Sequence, residues 1–289
     1  MSLVTIDEER CKRDGLCVRI CQKVFSQEAE GSVPLVAHEE SCNSCGHCVL
    51  VCPSGAIHQV DCPSEKIHPV RTDLLPSYEQ IREMVLTRRS IRTFQERPVE
   101  KEIIEKVIDG ARFAPSAKNV QSVRFIVVQD KSLLHAVASS TAEWLGKIAK
   151  RLKNPLWRKL YLLSGEKDAE EITRWIGQFQ FIAEEMGKNV DLILFDAPLL
   201  LLFYADKRIR LADVNATLAL HSATMLASSL GLGSFYTGYV VTACSHDRAI
   251  PRLLELPKKH KVYGGLALGY PAIQFSRWID RHPAQVKWL

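Results

Sequence analysis

The sequence predicts an α+β chain in two unequal domains, and three features predict it. Seven of the nine cysteines fall between Cys11 and Cys52, a density that marks a small ligand-binding domain. Pro63, Pro69 and Pro76 then punctuate a stretch that no helix could cross undisturbed. Beyond it, short apolar runs alternate with helix-period patterns, as in sheets layered with helices. The expected division is residues 1–65, a linker over 66–76, and residues 77–289.

The first domain is organised around Cys42-x2-Cys45-x2-Cys48-x3-Cys52-Pro53, the spacing of bacterial iron–sulfur ferredoxins. Three thiolates spaced by two residues can each take one corner of an iron–sulfur cube while the backbone between them curls round it. The fourth ligand must come from elsewhere. Thirty-one residues upstream, Cys11-x2-Asp14-x2-Cys17-x3-Cys21 superposes Cys11 on Cys42, Asp14 on Cys45, Gly15 on Gly46, Cys17 on Cys48 and Cys21 on Cys52. This is an internal duplication. Two overlapping four-ligand runs in register suit clusters better than zinc, whose cysteine pairs are usually separated by a longer loop. Disulfides are not expected, since Met1–Ile20 shows no export signal, and a cytoplasmic location follows as the expectation.

Over roughly the first 65 residues the chain resembles the bacterial two-cluster ferredoxins. The resemblance implies a 4Fe-4S cluster on Cys42, Cys45, Cys48 and the crossed ligand Cys21. A second cluster would sit on Cys11, Asp14, Cys17 and Cys52. Asp14 stands where a thiolate is usual, and a carboxylate is a harder, weaker ligand for iron. That cluster is therefore either 4Fe-4S with oxygen at one iron or 3Fe-4S. Gln22 replaces the proline usual after Cys21. Cys62 and Cys244 have no partner spacing and read as packing thiols.

Charge is unevenly divided. Residues 1–76 hold 7 Lys/Arg against 11 Asp/Glu, and the remaining 213 hold 31 against 22. The net +5 comes without a basic run interleaved with aromatics, so no nucleic-acid partner is expected. An acidic electron carrier tethered to a basic domain, or a basic pocket for a phosphate, accounts for it better. The longest apolar run, Leu192 to Tyr204, contains Asp196 and Pro198 and is too short to span a bilayer as a helix. It reads as a buried strand, and no membrane partner is expected.

In the larger domain, Ser77-x2-Gln80 predicts a capping box opening a helix to about Leu86. Ile103, Ile104, Val107, Ile108 and Ala111 mark a second helix, and Arg124–Gln129 a short strand followed by a helix from Ser132. Residues 143–190 read as helices anchored by Trp144, Trp157 and Trp175, covering a pocket or a partner subunit. A long helix is expected from about Asp213 to Leu230, ended by Gly231 and Gly233. Ser234–Val240 and a strand over Val262–Leu268 follow, then the basic tail around Arg277. Gly231-Leu232-Gly233 follows a helix and so is no dinucleotide fingerprint. His221, within an apolar helical pattern, reads as a core histidine.

Arg88-Arg89-Ser90-Ile91-Arg92-Thr93-Phe94 sets three guanidiniums and a hydroxyl at a helix end. They could bind a phosphate bidentately or simply complement the helix C-terminus. Ala114-Pro115-Ser116-x2-Asn119-x-Gln121, Leu230-Gly231-Leu232-Gly233-Ser234 and Gly269-Tyr270-Pro271 follow in order. Over residues 77–289 this resembles the FMN-dependent nitroreductase family, with Ser122 and Val123 in place of the family's usual Pro-Trp. The resemblance implies a mixed central sheet flanked by helices. Arg88, Arg89, Ser90 and Arg92 would hold the FMN phosphate and ribityl chain, with Arg277 closing on the phosphate. Pro115, Ser116, Asn119 and Gln121 would lie against the flavin ring or ribityl chain, and backbone at Thr237-Gly238 would face its reactive nitrogen. A homodimer would build each site from both subunits.

The expected function is an iron–sulfur flavoprotein oxidoreductase that reduces a small electrophile, such as a nitroaromatic or a quinone. No catalytic side chain is expected, because the cofactors carry the chemistry. Electrons could come from a redox protein or from NAD(P)H. Two alternatives stay open, an electron-transfer module of a larger complex and a redox or iron sensor built on the Asp14 cluster.

Overall fold

A computed structural model of the chain describes residues 2–165 and 169–289. The chain divides into two compact units, one of Met1–Pro76 with Lys118–Val120, the other of Ser77–Ala117 with Gln121–Leu289.

The first unit contains β1 (Val4–Ile6), α1 (Leu16–Ile20), β2 (Phe25–Ser26), β3 (Leu35–Val36), α2 (His47–Val51) and β4 (Ile57–Gln59). β1 pairs antiparallel with β4, Val4 opposite Gln59, and β2 pairs antiparallel with β3. The duplication seen in the cysteines recurs in the backbone. Each short helix follows a left-handed glycine, Gly15 at φ +66° and Gly46 at φ +75°. Two residues before each glycine, Arg13 and Ser44 are also left-handed, at φ +59° and +54°. Such a conformation costs a non-glycine residue about 1–2 kcal/mol, so both repeats hold the same strained loop. Around it Val4, Val24, Phe25, Val49 and Ile57 form a small core with Cys17 and Cys48.

In the second unit the chain order is α3 (Tyr78–Thr87), α4 (Lys101–Ala111), β5 (Arg124–Val128), α5 (Lys131–Lys153), α6 (Pro155–Leu163), α7 (Ala169–Arg174) and α8 (Ile176–Met186). Then come β6 (Leu199–Asp206), α9 (Ala212–Ser229), β7 (Gly233–Tyr236), α10 (Gly238–His246), α11 (Ala249–Leu253) and β8 (His260–Gly269). The strands lie in the order β5-β6-β8-β7, each pair antiparallel. A parallel bridge from Ser90 to Ser234 makes the sheet mixed.

β6 explains the layering. Its side chains alternate faces, and both faces are covered, so the strand is apolar without interruption. Leu200 and Leu202 pack into the layer that holds Val137, Phe179 and Val240 of α5, α8 and α10. Leu199, Leu201 and Phe203 pack on the other side against Ile104 and Val107 of α4 and the alanines of α9. Ala216, Ala219, Ala223 and Ala227 are small enough to bring α9 close to the sheet. The capping box is formed: Gln80 N–H donates to Ser77 Oγ at 3.3 Å, and Ser77 N–H donates to Gln80 Oε1 at 2.8 Å.

Three sequence expectations change. The strand expected from Leu192 begins only at Leu199. Asp191 accepts the N–H groups of Ile193 and Leu194, both at 2.8 Å, and coils the chain before Pro198. The stretch expected as Ser234–Val240 divides into β7 and the start of α10. His221 is exposed on α9 instead of buried in the core. Among the described residues no helix is long and apolar enough to cross a membrane.

Candidate functional site

The cysteines of the first unit face two cavities. Cys11, Asp14, Cys17 and Cys52 line one, and Cys21, Cys42, Cys45 and Cys48 line the other. Each set takes its fourth member from the opposite repeat. Electrostatics groups them the same way. Burial raises the Cys17 thiol above its ordinary value, and nearby Cys11 and Cys52 raise it further. Burial likewise pushes Cys48 up to about 11, with Cys42, Cys45 and Cys21 adding to the rise. Buried thiols crowded in this way resist losing their protons together unless positive charge lies between them, and the irons of a cluster supply that charge. Each cavity therefore gathers the thiol-rich donor set that an iron–sulfur cluster would take.

The loops are tuned for sulfur. Cys52 is lowered: burial raises it, but the Ser54 hydroxyl and the N–H groups of Ala56, Ser54 and Gly55 outweigh that. Ala56 N–H donates to Cys52 Sγ at 3.3 Å and Arg13 N–H to Cys11 Sγ at 3.4 Å. Asp14 spends one oxygen, Oδ1, on the N–H of Leu16 at 3.1 Å. The strained Ser44 is held by its hydroxyl, which donates to Asp61 at 2.6 Å and accepts from the Gln59 amide at 2.9 Å. Cys62 packs against this loop, 3.1 Å from where a Cβ on Gly46 would lie. Cys244 is buried in the second unit, its thiol pushed up to about 12 by burial alone among the raising effects.

In the second unit the arginine segment is pinned across the sheet end. Ile91 N–H donates to Ser234 O at 3.0 Å, Gln95 N–H to Tyr270 O at 2.9 Å and Ala272 N–H to Thr93 O at 3.0 Å. Ile91 lies so close over Gly233 that a Cβ there would meet it at 2.8 Å. Arg89 donates through Nη1 to the carbonyls of Leu86 and Arg88 at the end of α3, at 3.2 and 3.0 Å. Its Nη2 is buried with no partner among the described residues. Helix capping and anion binding are thus compatible in one side chain.

The Arg92 guanidinium sits 5.3 Å from the Phe235 ring centroid and 5.7 Å from that of Phe195. Arg92, Thr237 and Gly238 line one cavity together with Phe181, Phe195 and Tyr236. Thr237 Oγ1 is also buried with no partner among the described residues. It lies over Gly265, where a Cβ would come within 2.4 Å of it. An orphaned cationic donor and an orphaned hydroxyl are what an anionic, oxygen-rich group such as FMN would satisfy. Arg88 is half-buried, and Arg277 lies in the exposed tail beyond β8.

Pro115, Ser116 and Gln121 line a different cavity, with Asn215 and Ala219 of α9. It shares no lining residue with the Arg92 cavity. The loop is tightly wound: Gln121 N–H donates to Ser116 Oγ at 3.0 Å, and Lys118, Asn119 and Gln121 all have positive φ. Asn119 belongs to the first unit, where its amide donates to the Ser44 carbonyl at 2.8 Å. The sequence reading missed Asn215, Phe195 and Phe235. For Asn215 a signal existed, a polar residue within the buried alanine stripe of α9.

Comparison with known proteins bears on both units. The nitroreductase family matches residues 85–270, and a 4Fe-4S binding domain matches residues 35–58. The FMN reductase (NAD(P)H) of Bacillus subtilis is 29% identical over 186 residues, which is 64% of this chain and 63% of that protein. The 4-nitrobenzoate reductase of Pseudomonas putida is 26% identical over 202 residues, 65% of this chain and 83% of that protein. A nitroreductase with bound FMN from Bacteroides fragilis shares the fold with TM-score 0.52 and 19% identity, over 72% of this chain and 99% of that one.

Proposed function

The chain belongs to the nitroreductase family and joins to that domain a 4Fe-4S binding domain, and from this we propose that it is an iron–sulfur flavoprotein that reduces a small electrophile at FMN. The observation that carries the reading is the pairing of two cysteine-lined cavities in one unit with an Arg89 Nη2 and a Thr237 hydroxyl in the other that are buried with no partner among the described residues. Bound FMN would supply exchange between paired electrons, taken or given as hydride, and single electrons, whereas each cluster carries one at a time.

The chain's own residues bind and shape. Arg89 and Ser90 offer donors to the phosphate and ribityl oxygens, and Arg92 is held against two aromatic rings beside Thr237 and Gly238. The acceptor pocket is walled by Phe181, Phe195, Phe235 and Tyr236, with Arg92 its charged member. This lining favours a planar aromatic acceptor, and the 4-nitrobenzoate reductase among the relatives makes a nitroaromatic the first compound to try. The NAD(P)H-dependent relative supports a nicotinamide donor. Electrons would otherwise enter from a low-potential redox protein through the clusters.

A homodimer is part of this reading. Of the residues the resemblance sets at the flavin, Arg92, Thr237 and Gly238 line one cavity and Pro115, Ser116 and Gln121 another with no common wall, and apolar side chains of α3 and α9 stay exposed, Tyr78, Ile81, Val85, Val214 and Leu218. Pairing two copies would cover these and complete each site.

The test is an anaerobic visible titration of the purified chain, first with NADH or NADPH and then with a one-electron donor. Flavin bleaching by a nicotinamide, with nitroaromatic reduction on adding the acceptor, is the expected result. Bleaching by the one-electron donor alone would make the clusters the entrance. A chain that binds no flavin would overturn the proposal.

A further inference from the structure

We propose that Asn215 is a flavin-positioning residue, whose carboxamide clamps the Ala114–Gln121 loop with one end and donates to an acceptor oxygen of FMN with the other. The inference rests on the flavoprotein reading above and adds a residue that none of the family motifs contains.

Asn215 lies on α9, one turn in from its start, in the stripe that faces the sheet and α4. Its neighbours along that stripe are Ala212, Ala216 and Ala219, all buried. A carboxamide in such company is an anomaly, since a buried polar group must find partners or weaken the fold. One partner is the backbone of Ala117. Oδ1 accepts the N–H of Ala117 at 3.0 Å, across 98 residues of sequence. That bond also settles which end of the amide is which, because only the oxygen can accept from an N–H.

The other end is unspent. Asn215 is 1% exposed, and its Nδ2 has no partner among the described residues. The residue lines the cavity formed with Pro115, Ser116, Gln121 and Val123. An NH2 group can only donate, so the missing partner is an acceptor. The ribityl hydroxyls and ring carbonyls of FMN are acceptors, and three of the cavity's other residues are ones the family resemblance places against the flavin. The clamp also bears on a strained stretch of the same unit, where Gln121 is left-handed at φ +45°.

Two substitutions separate the roles. Asn215→Asp keeps an oxygen for the Ala117 N–H but has no donor when ionised, and regains one when protonated. Asn215→Leu is neutral, similar in size, and has neither. FMN affinity of the flavin-stripped chains, followed by quenching of flavin fluorescence, is read across pH alongside thermal stability. The expected result is at least tenfold weaker FMN binding by both variants at neutral pH, with recovery in the Asp variant on acidification and none in the Leu variant. The visible spectrum of residual bound flavin should shift in both.

An Asp variant that binds FMN as tightly as the unsubstituted chain at every pH would reduce Asn215 to a loop clamp and overturn the proposal. So would a Leu variant that binds within twofold. Failure of the unsubstituted chain to bind FMN would be a different result, since it removes the reading on which this one stands.

Discussion

Arg89 divides its guanidinium between two tasks. Nη1 caps the carbonyls at the end of α3, while Nη2 is buried with no partner among the described residues. A charge-assisted hydrogen bond contributes about 1.5–3 kcal/mol, so Arg89→Leu should weaken FMN binding by about ten- to a hundredfold. Arg89→Lys should recover only part, since an ammonium cannot serve the helix end and a phosphate as a planar fork does. Equilibrium titration of the flavin-stripped protein checks both. Glu100 offers a pH prediction. The Tyr270 hydroxyl and the Arg97 guanidinium, each 2.5 Å from a different oxygen of its carboxylate, hold its pKa down to about 2 from an ordinary 4.5. Because the folded value lies below the unfolded one, its contribution is complete above about pH 4.5 and fades as pH falls toward 2. Acid melting curves of Glu100→Gln should therefore be flatter over that window than those of the unsubstituted chain. The cysteine sets that share each cavity were legible in the sequence because their spacing is local. Phe195 and Phe235 were not, because what they touch is brought from distant segments by the sheet; Asn215 stood out only as a polar residue in an alanine stripe, its partner Ala117 lying 98 residues away.

The duplicated cluster loop is an element whose shape depends on glycine. Gly46 is left-handed at φ +75°, and an added Cβ would also stand 3.1 Å from Cys62 Sγ. Gly31 has a similar φ of +81° but open space around it. Gly46→Ala and Gly31→Ala should share a conformational cost of about 1 kcal/mol or somewhat more, and only the first should also disturb the Cys42–Cys48 loop. Iron and sulfide analysis should show cluster loss in the Gly46 variant and full content in the Gly31 variant; equal retention in both would mean the loop tolerates the crowding. Elements with local signals were readable in sequence: the capping box at Ser77, the alanine face of α9 and the glycine that ends it. The stretch from Leu192 was misread because its apolar composition matches a strand while Asp191 and Pro198 coil its first half. Hydrophobicity registers burial there, and hydrogen bonding decides the conformation.

For the whole molecule, the decisive question is whether one flavin site draws on two chains. Arg89 lies three residues before Arg92, which lines one cavity, Ser116 lines the loop cavity, and the two cavities share no residue. If each site joins the arginine segment of one subunit to the loop of its partner, the two halves can be damaged separately. Arg89→Leu removes the phosphate donor, and Ser116→Trp fills the loop cavity with an indole. Each variant alone should bind little flavin. Mixed, unfolded together and refolded, random pairing makes half the dimers hybrid, and in each hybrid one site inherits both lesions while the other inherits neither. About one site in four should then bind FMN and turn over. Recovery near that fraction, absent when the variants are refolded apart, would establish the shared site. No recovery, with both variants dimeric by sedimentation, would place the arginine segment and the loop of a single chain at the same flavin.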